Sequence, residues 1–439
     1  MKTITLINFL IVLAIIIGCS TKSEPSFSAQ QKFVTDDLTN FYRAFDSISV
    51  ESDTSNYSKI INALFINKAS VGQKRMIAER RYTMKEYKNT VISRPKFWSS
   101  LRKNVKEVAA FSDEIKIGID RLHNIYPELK HSTIYYTVGN HRSPGTGVDS
   151  LVLLGSEFAL GDSTTVVEEL PSYNQDYYKI NPINHLQFLC VHEYVHTQQK
   201  PMVHNLLSLT LYEGIAEFVA IKATGQSSPW KAFVYGPENE KKILEKFESD
   251  MFKPTSIYNW LWNPPDNEFG TSDLGYFVGY QIASTFYESA SDKKLAIKKL
   301  IELDYNNEKE VEDLVNSTKV FSVKLEEIEK EYESLRPTVK SIRQFENNSQ
   351  QVDPSIKEIT VEFSKPLNGH NTGVDFGDLG KDAFPKNDIN GRYWGEDGRT
   401  WTIAVELESN KNYQLLITSN FRAKNGEHLK PYLLDFKTR

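Results

Sequence analysis

Up to Pro337 the chain mostly repeats its apolar residues at spacings of three and four, and beyond that residue it changes to short alternating runs. The first pattern predicts helices, clearly over 31–48 and 96–126 and again over 183–199, where Asn181-Pro182 marks the start. A strand-like interlude separates them. Residues 132–138 (STIYYTV) alternate, 139–147 carry glycine, asparagine and proline as a turn does, and 150–155 (SLVLLG) read as a second strand. The stretch 292–335 is rich in Lys and Glu at helical spacing, a solvated face, and Pro337 ends it. Strands are then expected over 356–363, 399–405, 413–418 and 432–437, a spacing that suits a small β-sandwich. The expected fold class is α+β: a mostly helical core with a small sheet, followed by an all-β module.

The beginning of the chain shows a different pattern. One lysine precedes a largely apolar run from Ile4 to Ile17, too short to span a bilayer comfortably, which reads as an export signal. Ile16-Ile17-Gly18-Cys19 resembles the lipobox of bacterial lipoproteins, implying cleavage before Cys19 and lipid on its thiol. Ser20 follows, not the aspartate associated with inner-membrane retention, so a cell-envelope address at the outer membrane is favoured over the inner. Residues 20–30 would be a polar tether. The remaining cysteine, Cys190, is expected to be a small buried residue. With 52 basic against 57 acidic residues, a net charge of −5 and no basic tract, a nucleic-acid partner is excluded.

The candidate chemistry is concentrated in His192-Glu193-Tyr194-Val195-His196. Residues four apart on a helix stand one above the other, so the two imidazoles aim at one point, and Glu193 sits one step round. A zinc ion that keeps one open position needs a third protein ligand. Sixteen residues intervene before Glu213, enough for a turn and a returning helix, and Glu217 lies one helical turn beyond it. Glu217 is placed to accept the free ring N–H of a ligating histidine. His185 shares the stripe of His192 and His196 but is too distant for the same ion, and His204 follows a loop proline.

HEYVH followed by Tyr212-Glu213-Gly214-Ile215-Ala216-Glu217-Phe218 resembles the gluzincin metallopeptidases, the superfamily of thermolysin and the aminopeptidase N-like enzymes, and also a group of bacterial predicted zinc-dependent proteases. The resemblance covers residues 130–290. It implies a gluzincin-like core, zinc held by His192, His196 and Glu213, Glu193 as general base and Glu217 supporting a ligand. Tyr276, in Tyr276-x-x-Gly279, is similar to the oxyanion-stabilising tyrosine of the aminopeptidase N-like enzymes, with Tyr280 in reserve and simple aromatic packing open for both. The Gly-x-Met-Glu-Asn motif by which those enzymes hold a free N-terminus is absent. The pieces VEFSKPL, NYQLLI and LDFKT resemble bacterial Ig-like domains of surface proteins.

The reading expected from the sequence is thus a lipid-anchored zinc metallopeptidase acting on a peptide or protein substrate. Its parts are a signal (1–19), a tether (20–30), a helical region (31–130), a metallopeptidase domain (131–336) and an Ig-like β-sandwich (337–439). The alternative is a non-catalytic binding or scaffold lipoprotein that retains the metallopeptidase-like fold.

Overall fold

The computed structural model describes residues 26–262 and 267–439, and the expected signal and the Cys19 lipid site lie outside them. Within these residues the chain is broadly α+β. Six helices come first: α1 (Asp36–Ser49), α2 (Tyr57–Leu64), α3 (Val71–Arg80), α4 (Met84–Ser93), α5 (Pro95–Lys106) and α6 (Val108–Ile125). The stretch 96–126, expected as one helix, is therefore two, parted at Glu107. α4 opens with a full capping box between Thr83 and Glu86, and α3 with the Ser70 side chain accepting from Gln73 N–H.

A four-stranded sheet follows, in the order β1 (Phe33–Val34), β2 (Thr133–Thr137), β4 (Leu151–Gly155), β3 (Gly145–Val148). The first three strands run parallel and β3 is antiparallel to β4, with Gly147 opposite Val152. The near-continuous apolar run of β4 suits a strand covered on both faces. The chain entering from residue 26 is stitched to this body. Ser28 donates from its backbone N–H and its hydroxyl to the Asp120 carboxylate, both at 2.7 Å, and the Phe27 ring stacks between His123 and His131.

After the short helices α7 (Ser156–Ala159) and α8 (Ser172–Gln175) come the two that carry the candidate chemistry, α9 (Leu186–His196) and α10 (Leu206–Thr224). α9 is shorter than the pattern over 183–199 suggests, because Pro182 starts a 3-10 turn that runs to His185 before the α-helix begins. α10 starts where the Asn205 side chain accepts from Ser208 N–H at 2.8 Å, and it ends at Gly225, whose φ of 72° only glycine adopts easily. It is apolar all round, and most of its residues are buried. Packed about it are α11 (Lys231–Asp250), α12 (Ile257–Trp260), α13 (Leu274–Ser289), α14 (Lys293–Ile301), α15 (Glu308–Thr318) and α16 (Leu325–Leu335).

Beyond Pro337 the strands β5 (Val339–Ile342), β6 (Glu358–Phe363), β7 (Val374–Asp375), β8 (Lys386–Trp394), β9 (Thr400–Glu406), β10 (Asn412–Ile417) and β11 (Tyr432–Lys437) form two sheets, β5-β6-β9-β8 and β11-β10-β7. Their inward residues, among them Trp401, Ile403, Leu415 and Phe436, make a hydrophobic cluster separate from the helical one. At the joint, Arg336 donates to the backbone carbonyls of His428 and Leu429 at 3.0 and 2.9 Å, and Lys430 N–H donates to Pro337 O at 2.9 Å.

Candidate metal centre

α9 and α10 lie side by side, and their facing sides bring together His192, His196 and Glu213. The two Nε2 atoms are 3.0 Å apart, and Glu213 Oε2 is 3.2 Å from His196 Nε2 and 3.5 Å from His192 Nε2. Three ligands on a tetrahedral zinc, each about 2.0–2.1 Å from the ion, stand about 3.3–3.4 Å from one another. The donor set therefore fits one small divalent cation. The sequence spacing predicted this trio, and the structure brings it together.

Electrostatics point the same way. Burial opposes charge on His192, yet Glu213, Glu217 and Glu193 around it lift its pKa to about 9. Burial likewise opposes charge on Glu213, but the two imidazoles hold it well below the usual carboxylate range. Burial raises Glu217 to about 7. Carboxylates gathered against two imidazoles in a dry site favour positive charge there, which a protonated His192 supplies without an ion and a bound cation would supply in its place.

Around the trio sit groups that aim the ligands. Glu217 Oε1 stands 3.6 Å from His192 Nδ1, beyond hydrogen-bond length and so short of the bond expected of it, and takes a 2.6 Å hydrogen bond from the Trp230 indole N–H. Gln199 Oε1 is 2.7 Å from His196 Nδ1, and the Tyr212 ring stacks on that imidazole at 4.3 Å. Gln199, Tyr212 and Trp230 were missed in the sequence. Gln199 lies three residues past His196, a signal that the spacing argument could have used. Trp230 gives no such signal.

Tyr276 lies beside the site, its ring 6.3 Å from that of His192, and its hydroxyl accepts from the Trp262 indole at 3.1 Å. Tyr280 packs on Phe218 and Phe233 instead. His185 ends the 3-10 turn, outside the ligand trio. Cys190 is fully buried, and burial pushes its thiol pKa up.

Glu193 faces strand β3. A Cβ on Gly145 would lie 2.6 Å from Glu193 Cγ, and one on Gly147 would lie 2.2 Å from the Glu193 carbonyl oxygen. The segment 139–147, expected as a turn alone, thus ends in an edge strand laid directly over the histidine helix. Side chains on it would keep the helix away. The four site residues are largely buried: His192, Glu193, His196 and Glu213 are 6, 7, 8 and 8% exposed.

No curated protein matches the chain. Two solved structures are similar in part: the S-layer protein rSbsC(31-844), at 15% identity and a TM-score of 0.18, and domains 1–6 of surface layer protein SbsC, at 12% and 0.15. The alignments cover 62% and 92% of this chain but only 38% and 46% of those, and at such scores neither carries an argument about fold. The model of a lipoprotein family, the gliding motility protein GldB, matches residues 20–311 and so takes in both ligand-bearing helices.

That match overturns the gluzincin metallopeptidase assignment. With it go the expected enzyme activity, the peptide substrate, and the hydrolytic roles of Glu193 as general base and Tyr276 as oxyanion donor. The physical reason is that HExxH specifies a helix face able to ligate an ion, and ligation serves a binding protein as well as a hydrolase. The lipoprotein character implied by the lipobox resemblance agrees with the match, which makes this a membrane-anchored protein of the cell envelope. The chain belongs to the family of the gliding motility protein GldB.

Proposed function

We propose that this chain is a non-catalytic lipoprotein that binds protein partners of the gliding machinery, its helical body organised round one zinc ion held by His192, His196 and Glu213. The observation that carries the reading is the family match over residues 20–311, which takes in the whole ligand trio. Zinc bound there would cross-link α9 to α10 and neutralise their buried carboxylates. The outer membrane is the proposed site of anchoring, supported by Ser20 after Cys19. The two-sheet module after Pro337 is read as an Ig-like spacer or platform for those partners.

The test is gliding by cells whose own copy is replaced with variants. Glu193→Gln preserves shape and removes only the carboxylate, so these cells should glide as the parent does. His196→Ala removes a ligand, and those cells should lose gliding together with the zinc. Loss of gliding in Glu193→Gln cells that still accumulate zinc-loaded protein would overturn the non-catalytic reading.

A further inference from the structure

We infer that Gln199 is the positioning residue that sets the ring tautomer of His196, and through it the affinity of the centre for zinc; this rests on the zinc reading above. Gln199 lies in the turn after α9, and its side chain reaches two elements. Its amide Nε2 donates to the backbone carbonyl of Tyr212 at 2.9 Å and to the Tyr305 hydroxyl at 3.4 Å. Its Oε1 stands 2.7 Å from His196 Nδ1.

The orientation of this amide follows from chemistry. A backbone carbonyl only accepts, so it must face the NH2 end, and Oε1 must then face the imidazole. An amide oxygen also only accepts, so Nδ1 of His196 carries the proton. Nε2 is left with a bare lone pair, directed at His192 Nε2 and Glu213 Oε2, 3.0 and 3.2 Å away. The reversed amide would set its oxygen against the Tyr212 carbonyl, two acceptors face to face, and an amide oxygen left unpaired in a half-buried site costs about 1–3 kcal/mol.

The same bond ties the ligands to each other. Tyr212 immediately precedes Glu213, and its ring lies flat on His196, 9° from parallel, so the imidazole has no room to turn. One side chain thus fixes the histidine of α9 against the backbone beside the carboxylate of α10. The ion would enter a trio already aimed at it, and preorganisation of this kind is worth about 10- to 100-fold in metal affinity.

The experiment uses the full chain with zinc alone as probe, titrated against a competing chelator, together with imidazole 15N spectra of the metal-free protein. In the metal-free wild type, His196 should appear as the Nδ1–H tautomer. Gln199→Leu, which makes neither bond, should lose that preference and bind zinc about 10- to 100-fold more weakly. Gln199→Glu keeps an acceptor for Nδ1–H but loses the donor to Tyr212, so it should keep the tautomer and lose less zinc affinity than Gln199→Leu. If Gln199→Leu folds, leaves the tautomer as it was and binds zinc as the wild type does, the inference is overturned and the zinc reading stands. A wild type that takes up no zinc sinks the zinc reading instead, while the tautomer comparison still judges Gln199. Equal losses in Gln199→Leu and Gln199→Glu would mean that Gln199 only packs, which also overturns the inference.

Discussion

Gly214 and Gly279 meet backbone to backbone: a Cβ on Gly214 would lie 2.2 Å from the Gly279 carbonyl carbon, and one on Gly279 only 2.0 Å from Thr210 O. This approach lets α13 settle onto α10 and brings Tyr276, three residues before Gly279, to the ring of His192. Gly214 also follows Glu213 directly, so the crossing point and the ligand share one turn of helix. Gly214→Ala must push backbone against backbone, which no rotamer change relieves. It should destabilise the protein by at least the 1–3 kcal/mol typical of overpacking, read as a lowered denaturant midpoint. Tyr280→Phe, whose hydroxyl has no part in the crossing, is the control expected to change little.

Protein purified without added metal should carry one zinc per chain by elemental analysis. Stripping it with a chelator should lower the unfolding temperature, and the loss should return with added zinc. At free zinc a thousand times the dissociation constant, the stabilisation is about 4 kcal/mol. His196→Ala should show neither the zinc nor the shift, whereas Glu193→Gln should show both. Absence of zinc from the wild type after addition and dialysis would remove the metal centre.

Glu157 predicts a pH dependence away from that centre. It is buried, and its two oxygens accept from the backbone N–H groups of Gly139 and His141 at 2.9 and 3.2 Å. Tyr82, Tyr178 and Arg94 face it from neighbouring elements. Burial lifts its pKa from 4.5 to about 7, with those backbone bonds and Arg94 pulling the other way. The folded state thus holds the proton more tightly than the unfolded chain, and this group's contribution to stability falls as pH rises from 4.5 to about 7. The size is about 3 kcal/mol. Glu157→Gln should remove that slope, so the wild-type denaturant midpoint should fall relative to the variant's between pH 5 and 7.5. A constant difference across the range would show that Glu157 titrates normally.

A chain ending at Arg336 should keep its zinc stoichiometry, since the residues of the helical hydrophobic cluster all precede Pro337. It should also be less stable than the full chain. Arg336 loses both carbonyl acceptors, and the ion pair of Glu333 with Lys430 goes too. Residues 338–439 alone should give an all-β circular dichroism spectrum. Loss of zinc in a folded truncation would make the β-module part of the centre.

The ligand trio was legible because a helix converts four-residue spacing into a shared direction, and nothing in the tertiary packing disturbs α9. Most C-terminal strands were legible too, and β11 occupies the expected 432–437. What escaped notice has physical reasons. β3 is glycine-rich because the histidine helix lies against it, so it lacks the branched side chains by which strands are recognised. β8 (KNDINGRYW) is an edge strand with an irregular register, and its polar surface hides it. The metallopeptidase assignment failed for another reason. Residue spacing reports where donors converge, but turnover also depends on groups and access that spacing does not encode.

The joint at Pro337 has a mechanical consequence. Arg336 grips two successive carbonyls of the β-module, while at the other end Ser28 is held by both oxygens of Asp120. Neither attachment has slack. Tension applied between Ser28 and the β-module would therefore load the helical body directly. A metal ion bridging α9 and α10 would stiffen that body against shear between the two helices.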